Sequence, residues 1–288
     1  MRSTRLTVPF IVSLIIFPLA FLLAEGMGGP GSGDKITLAL FVATVLLEVA
    51  ALGQVISARK LFSPSDPGRL TWTLIMAFLI VRLTSEARLV TMNLQLVPRY
   101  GEDISGGVFF YLIVLRYLYT ASDLLFIGAL VTTIRAYKST GLKFGLMGRD
   151  YIYIAVLWTM PLLTYAFRGN LIYSATGIDP YIPTYRLTAV TVGAVIASLC
   201  LIVRRFVLQM GGGAVARVWS RVVLAGISRD ASFLALALVT SWWKTGAGFL
   251  EQYLLWIFAG CWLLAALCQQ EVLPKAVETR VKRAAAGV

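Results

Sequence analysis

Histidine is missing altogether from this 288-residue chain, and charged residues make up only 14% of it. Without imidazole there is no axial ligand for a haem between helices, and the zinc and di-iron sites of membrane enzymes lose their usual ligands. Cysteine is scarce as well. Cys200, Cys261 and Cys268 have no CxxC spacing and lie in apolar stretches, which suits core filling rather than redox or metal chemistry. No GxxxxGK[ST] run offers a phosphate cradle, and Asn93 and Asn170 form no Asn-x-Ser/Thr glycosylation site. No cofactor and no metal is expected.

The shortage of charge has a positive counterpart. A soluble domain carries about 25% charged and about 45–50% apolar residues; this chain is 58% hydrophobic with a mean hydropathy of +0.80. It lacks the polar surface to cover a globule in water. The expectation is an all-α polytopic transmembrane helix bundle, a single integral membrane domain over residues 1–288, in the plasma membrane or an endomembrane.

A spanning helix needs roughly 20 mostly apolar residues. Eight such segments can be marked: Thr7–Ala24, Ile36–Ile56, Leu70–Met92, Val108–Ile134, Tyr151–Phe167, Leu187–Val207, Val218–Trp243 and Phe249–Gln269. Breakers such as Gly28-Gly29-Pro30, Pro64-Ser65-Asp66-Pro67-Gly68, Asp179-Pro180 and Gly211-Gly212-Gly213 fall between them. The first segment also fits a signal peptide, with Arg2 and Arg5 ahead of an apolar run ending in Ala24-Glu25-Gly26. Cleavage there leaves seven spans; the length of the run favours a retained helix.

Charge assigns the sides. Seventeen of the 26 basic residues fall on alternate connections, from Arg2 and Arg5 through Arg59, Lys60, Arg69, Arg135, Arg149, Arg204 and Arg217 to Lys275 and Arg283. The opposite connections hold five: Lys35, Arg99, Arg168, Arg186 and Lys244. By the positive-inside rule both termini are cytoplasmic. The net charge of +12 is therefore a topology signal, and nucleic-acid binding is not expected.

Eight charged residues remain inside the segments: Arg82, Arg88, Arg116 and Arg229, with Glu48, Glu86, Asp123 and Asp230. A charge at mid-bilayer costs at least about 2.5 kcal/mol, so each should face protein or a wet cavity and find a partner. At 1.5 Å per residue, Glu48, Arg82, Arg116, Asp123, Arg229 and Asp230 fall roughly 12–23 Å below the outer ends of their segments, while Glu86 and Arg88 lie nearer the surface. Arg82, Ser85 and Glu86 share one helical face, as do Arg116, Tyr119, Thr120 and Asp123. Depth pairs Glu48 with Arg82 or Arg116, and Asp123 with Arg229. Such pairs can fix which helix lies beside which, or line a polar binding or conduction site.

Other features have plainer and sharper uses. Ala189, Gly193 and Ala197 form a ladder of small residues for close helix packing within the chain or in a homodimer. Pro161 should kink the fifth segment. The Arg168–Arg186 connection, with Tyr173, Tyr181 and Tyr185, could lid an outward cavity.

No deep lysine in the last segment provides a retinal Schiff base, and neither an Asp-Arg-Tyr nor an Asn-Pro-x-x-Tyr type of motif occurs. In layout alone, the helix count and loop sizes look like those of uncharacterised fungal membrane proteins and small membrane-bound terpene cyclases. Two function classes follow. One is a non-enzymatic receptor-like, transporter or accessory protein, with the lipid bilayer and a small-molecule ligand as partners. The other is an intramembrane enzyme that uses Glu48, Asp123 or Asp230 as general acid. The arginines near every deep acid favour the first.

Overall fold

The structure, a computed structural model, describes residues 2–27, 32–93, 106–139, 141, 145–166, 182–209, 213–239 and 243–285, with side chains 87–93 and 106–116 and some others outside the description. The described residues form eight α-helices and no strand. They are α1 (Arg2–Met27), α2 (Ser32–Lys60), α3 (Pro67–Asn93), α4 (Gly106–Ser139), α5 (Gly148–Ala166), α6 (Ile182–Gln209), α7 (Gly213–Val239) and α8 (Lys244–Ala285). Each apolar segment of the sequence lies within or largely within one of them. Most helices run past their apolar stretch, α8 furthest, because helix formation does not stop where hydrophobicity does.

Among the described residues, six helices, α1, α2, α3, α4, α6 and α8, are long and apolar enough to cross a membrane. Burial agrees with a membrane protein. Leu and Ile side chains on α1, α2 and α5, among them Ile15 (67%), Leu46 (65%) and Leu162 (68%), are exposed, whereas Arg82 and Arg229 are each 1% exposed. A soluble protein reverses that pattern.

Helices α2, α3, α4, α6, α7 and α8 pack in that order, and α8 returns to α2, closing a ring. Outside it, α1 lies on α2 and α8, and α5 on α6 and α7. Phe78, Phe126, Phe258 and Trp262 meet inside the ring, with Phe78–Phe126 and Phe126–Trp262 centroids 5.0 and 5.2 Å apart. These rings plug the bundle on the side of its basic helix ends.

Near those ends, hydrogen bonds tie the seams. Arg59 Nε donates to Thr73 Oγ1 across α2–α3 at 2.7 Å, and Thr71 meets Thr133 across α3–α4 at 3.2 Å. Arg221 Nη1 donates to the Leu264 carbonyl across α7–α8 at 2.7 Å. Gln270 Nε2 donates to the Gln54 carbonyl across α8–α2 at 2.9 Å. At the start of α5, Asp150 accepts from Met147 N at 2.8 Å and from Arg205 Nη2 at 2.5 Å. The Arg205 guanidinium holds its carboxyl below the usual aspartate range, so Asp150 stabilises the fold above that range and ceases to as acid protonates it.

The connections stop where the sequence provides breakers. Asp66 Oδ1 accepts from Gly68 N at 2.7 Å and caps α3, with Pro67 in the first helical position. Gly141 takes a φ of 78° just past the end of α4, a conformation natural to glycine.

The docking of α1 follows from a proline. Pro18 has no N–H to bond the Leu14 carbonyl one turn earlier, and in lipid that carbonyl has no water to turn to. Tyr253 of α8 donates its hydroxyl to Leu14 O at 2.8 Å, and Trp256 Nε1 donates to Ser13 Oγ at 2.9 Å. Phe21 stacks on Phe249 with centroids 4.1 Å apart. Pro161 lies inside α5, which stays one helix from Gly148 to Ala166.

This arrangement makes Tyr253 and Pro18 interdependent. Tyr253→Phe should lower the unfolding free energy of the purified protein in detergent by about 1–3 kcal/mol, the usual range for orphaning a buried polar group. In a Pro18→Ala background, where the backbone N–H is restored, Tyr253→Phe should cost less than half as much.

Candidate functional site

The charged residues of α2, α3, α4 and α7 converge just beyond the aromatic plug. Arg82 is the fourth residue after Phe78 on α3, and Asp123 the third before Phe126 on α4. Counted from the basic ends, Glu48, Arg82, Asp123 and Arg229 lie roughly 18–24 Å along their helices. Glu48, Arg82, Asp123, Arg229 and Asp230 are each 1% exposed, and Glu86 is 3% exposed. Arg88 and Arg116 lie outside the described side chains, as does the connection 167–181.

The six described charges form two groups of three, each with one guanidinium and two carboxylates. In the first, Arg82 Nε donates to Glu48 Oε1 on α2 at 3.1 Å, and Arg82 Nη2 donates to Glu86 Oε1 one turn along α3 at 3.2 Å. The flat guanidinium also lies over aromatic faces, 4.4 Å from the Phe258 centroid and 5.4 Å from that of Tyr119. Such contacts are worth about 2 kcal/mol when desolvated. Arg82 thus engages α2, α4 and α8 as well as its own helix.

In the second group, Arg229 Nη2 donates to Asp123 Oδ2 at 2.5 Å, joining α7 to α4, while Arg229 Nη1 lies 3.7 Å from Asp230 Oδ1. Adjacent helical residues point about 100° apart, so Asp230 meets a different neighbour: its carboxylate lies against Gly193 of α6. A Cβ at position 193 would run into Asp230 Oδ1. The two groups are near enough for Arg229 to act electrostatically on Glu48, and Arg82 on Asp123.

Hydrogen bonding is incomplete. Glu48 Oε2, Glu86 Oε2, Asp123 Oδ1 and both Asp230 oxygens accept no hydrogen bond among the described residues. Arg82 Nη1 likewise donates to none. The described layer therefore leaves several carboxylate oxygens open. Among the described residues no group of three or more carboxylates or thiols is placed to hold a metal ion. Cys200, Cys261 and Cys268 are buried within the apolar core and form no disulfide among the described residues.

Of the sequence candidates, the structure brings Glu48 to Arg82, Glu86 to the same arginine and Asp123 to Arg229. The small-residue ladder is used inside the chain: Ala189 and Ala197 are 4% and 0% exposed, and Gly193 receives Asp230. Phe258 and Gly193 were not legible as site residues, because they belong to the layer only through the helices facing them; the Asp150–Arg205 pair, which joins α5 to α6 away from the layer, was not legible either. At most, helical spacing marks Phe258 as one turn from Trp262.

Comparison with known proteins gives no matching family model, no similar curated protein and no similar solved structure.

The Gly193–Asp230 contact can be tested by rescue. Gly193→Ala should destabilise the protein by about 1–3 kcal/mol through overpacking, even though alanine is the better helix former. Adding Asp230→Ala vacates the volume, and the double variant should be more stable than Gly193→Ala alone in thermal unfolding.

Proposed function

We propose that this chain is a multi-pass integral membrane protein of receptor-like or transporter type, without an enzymatic role, whose buried charge layer binds a small positively charged species. All eight helices span the bilayer in this proposal, with the basic ends and both termini on the cytoplasmic side. The carrying observation is the set of buried carboxylate oxygens left without a hydrogen bond among the described residues, at least one on each of Glu48, Glu86, Asp123 and Asp230. Ion pairs that served only to hold helices together would gain from full hydrogen bonding, because each unsatisfied polar atom in a low-dielectric interior is costly. A layer that accepts positive charge from outside the chain needs such open acceptors.

The general-acid alternative has less support. An acid acting on an apolar substrate needs a chamber in front of it, yet the space on the basic side of the layer is filled by Phe78, Phe126, Phe258 and Trp262. Of its three candidates, Glu48 and Asp123 are also held by guanidiniums, and Asp230 is pressed against the α6 backbone at Gly193.

Thermal unfolding in lipid nanodiscs tests the proposal. Ionic strength is kept constant while H⁺, Na⁺ or K⁺ is varied against N-methylglucamine, above about pH 5 so that Asp150 stays charged. Binding should raise stability by about 1.4 kcal/mol for each tenfold increase of the bound species above its dissociation constant. Stability that follows ionic strength alone, whatever the cation, would contradict a binding layer.

A further inference from the structure

Asp230 differs from the other three carboxylates of the layer. Glu48, Glu86 and Asp123 each accept a hydrogen bond from a guanidinium, whereas neither oxygen of Asp230 accepts one among the described residues. Among the described residues its cationic neighbour is Arg229, whose Nη1 stands at 3.7 Å, beyond hydrogen-bond reach. The side chain is 1% exposed.

What faces Asp230 decides which ligand suits it. The carboxylate is pressed against α6 at Gly193, where even a methyl group would collide with it. Gly193 lies well inside α6, so the amides on this wall are committed to the helix, whereas each helical carbonyl keeps a second lone pair. Such a wall accepts hydrogen bonds but offers none. It accommodates a carboxylic acid, whose O–H can donate, and fails a carboxylate, which needs donors.

A larger cation fits less well. Sodium or calcium would need several oxygens around it, and the described residues place no three-membered acidic group here. A proton needs a single oxygen.

Building on the proposed binding layer, we infer that its ligand is a proton and that Asp230 is the group that takes it up and releases it. Among the described residues, the charged and titratable groups acting on Asp230 are Arg229 on its own helix, Asp123 from α4 and Cys200 from α6. Helices α5 and α8, also packed on α7, bring no charged group to it among the described residues.

Proton occupancy then controls a tie between helices. With Asp230 protonated, Arg229 has Asp123 as its one charged partner in the group, and α7 is held to α4. When the proton leaves the carboxyl oxygen, the new carboxylate competes from 3.7 Å for the same guanidinium. The Asp123–Arg229 bond weakens, and with it the side-chain tie that reaches from α7 to α4. The step is a proton transfer to solvent or to a passing base, with no other bond made or broken.

Infrared spectroscopy of the full chain in lipid nanodiscs tests the assignment across the pH range in which it stays folded. A carboxylic-acid carbonyl band should be present at the acid end and vanish reversibly as pH rises. It should shift when the protein is made with [4-¹³C]aspartate. Asp230→Asn should abolish it, and Asp230→Glu should keep it but remove its response to labelled aspartate. If Asp230→Asn does not fold, the labelled wild-type protein and Asp230→Glu still decide. A band that is absent, unmoved by labelled aspartate or retained in Asp230→Asn overturns the assignment. Absence of the band with stabilisation by Na⁺ or K⁺ intact would overturn the proton alone and leave the binding layer standing; loss of both would remove the layer's function as well.

Discussion

Taking an ion out of water costs several kcal/mol even after the protein relaxes around it. Six ionic side chains are buried together in this bundle, and much of the architecture around them reduces that cost. Each arginine is shared between two carboxylates, and Arg82 also lies on the faces of Phe258 and Tyr119. Because Glu48 and Asp123 come from other helices than their arginines, these bonds set the rotation and height of α2 against α3 and of α4 against α7. The aromatic plug beneath them keeps the basic side of the layer dry. Gly193 lets α6 approach until its backbone meets Asp230, the carboxylate that accepts no hydrogen bond from a guanidinium among the described residues.

The same requirement, that polar groups in lipid find partners inside the protein, explains details away from the layer. Pro18 frees a carbonyl on α1 and Tyr253 takes it up. Threonines, glutamines and arginines near the basic ends bond across helix seams where leucines alone would leave rotation undetermined. Apolar residues line the outside and much of the core alike, so they do little to distinguish one face of a helix from another. Polar contacts carry the information about which helix lies where.

That division explains how far the sequence could be read. Length and hydrophobicity mark all eight helices, and the 1.5 Å rise per residue is enough to place Glu48, Arg82, Asp123 and Arg229 at one level. The ends were less legible: α8 continues to Ala285, well past its apolar stretch, because Glu, Lys and Ala support a helix without a bilayer. Rotational contacts were hidden for a different reason. The facing of Phe258 onto Arg82, of Gly193 onto Asp230 and of Tyr253 onto Leu14 depends on the azimuth of two separate helices. Helices apolar on every side give no period from which to read that azimuth.

If the layer orders the bundle, its bonds must be energetically coupled across helices. A double-mutant cycle on Asp123 and Arg229, with Asp123→Asn, Arg229→Gln and both together, measures this directly by unfolding in detergent. Each single change should be costly and the pair should cost less than their sum, with a coupling of about 1.5–3 kcal/mol. Strictly additive effects would mean that the two side chains are neighbours without being partners, and that something else holds α4 to α7.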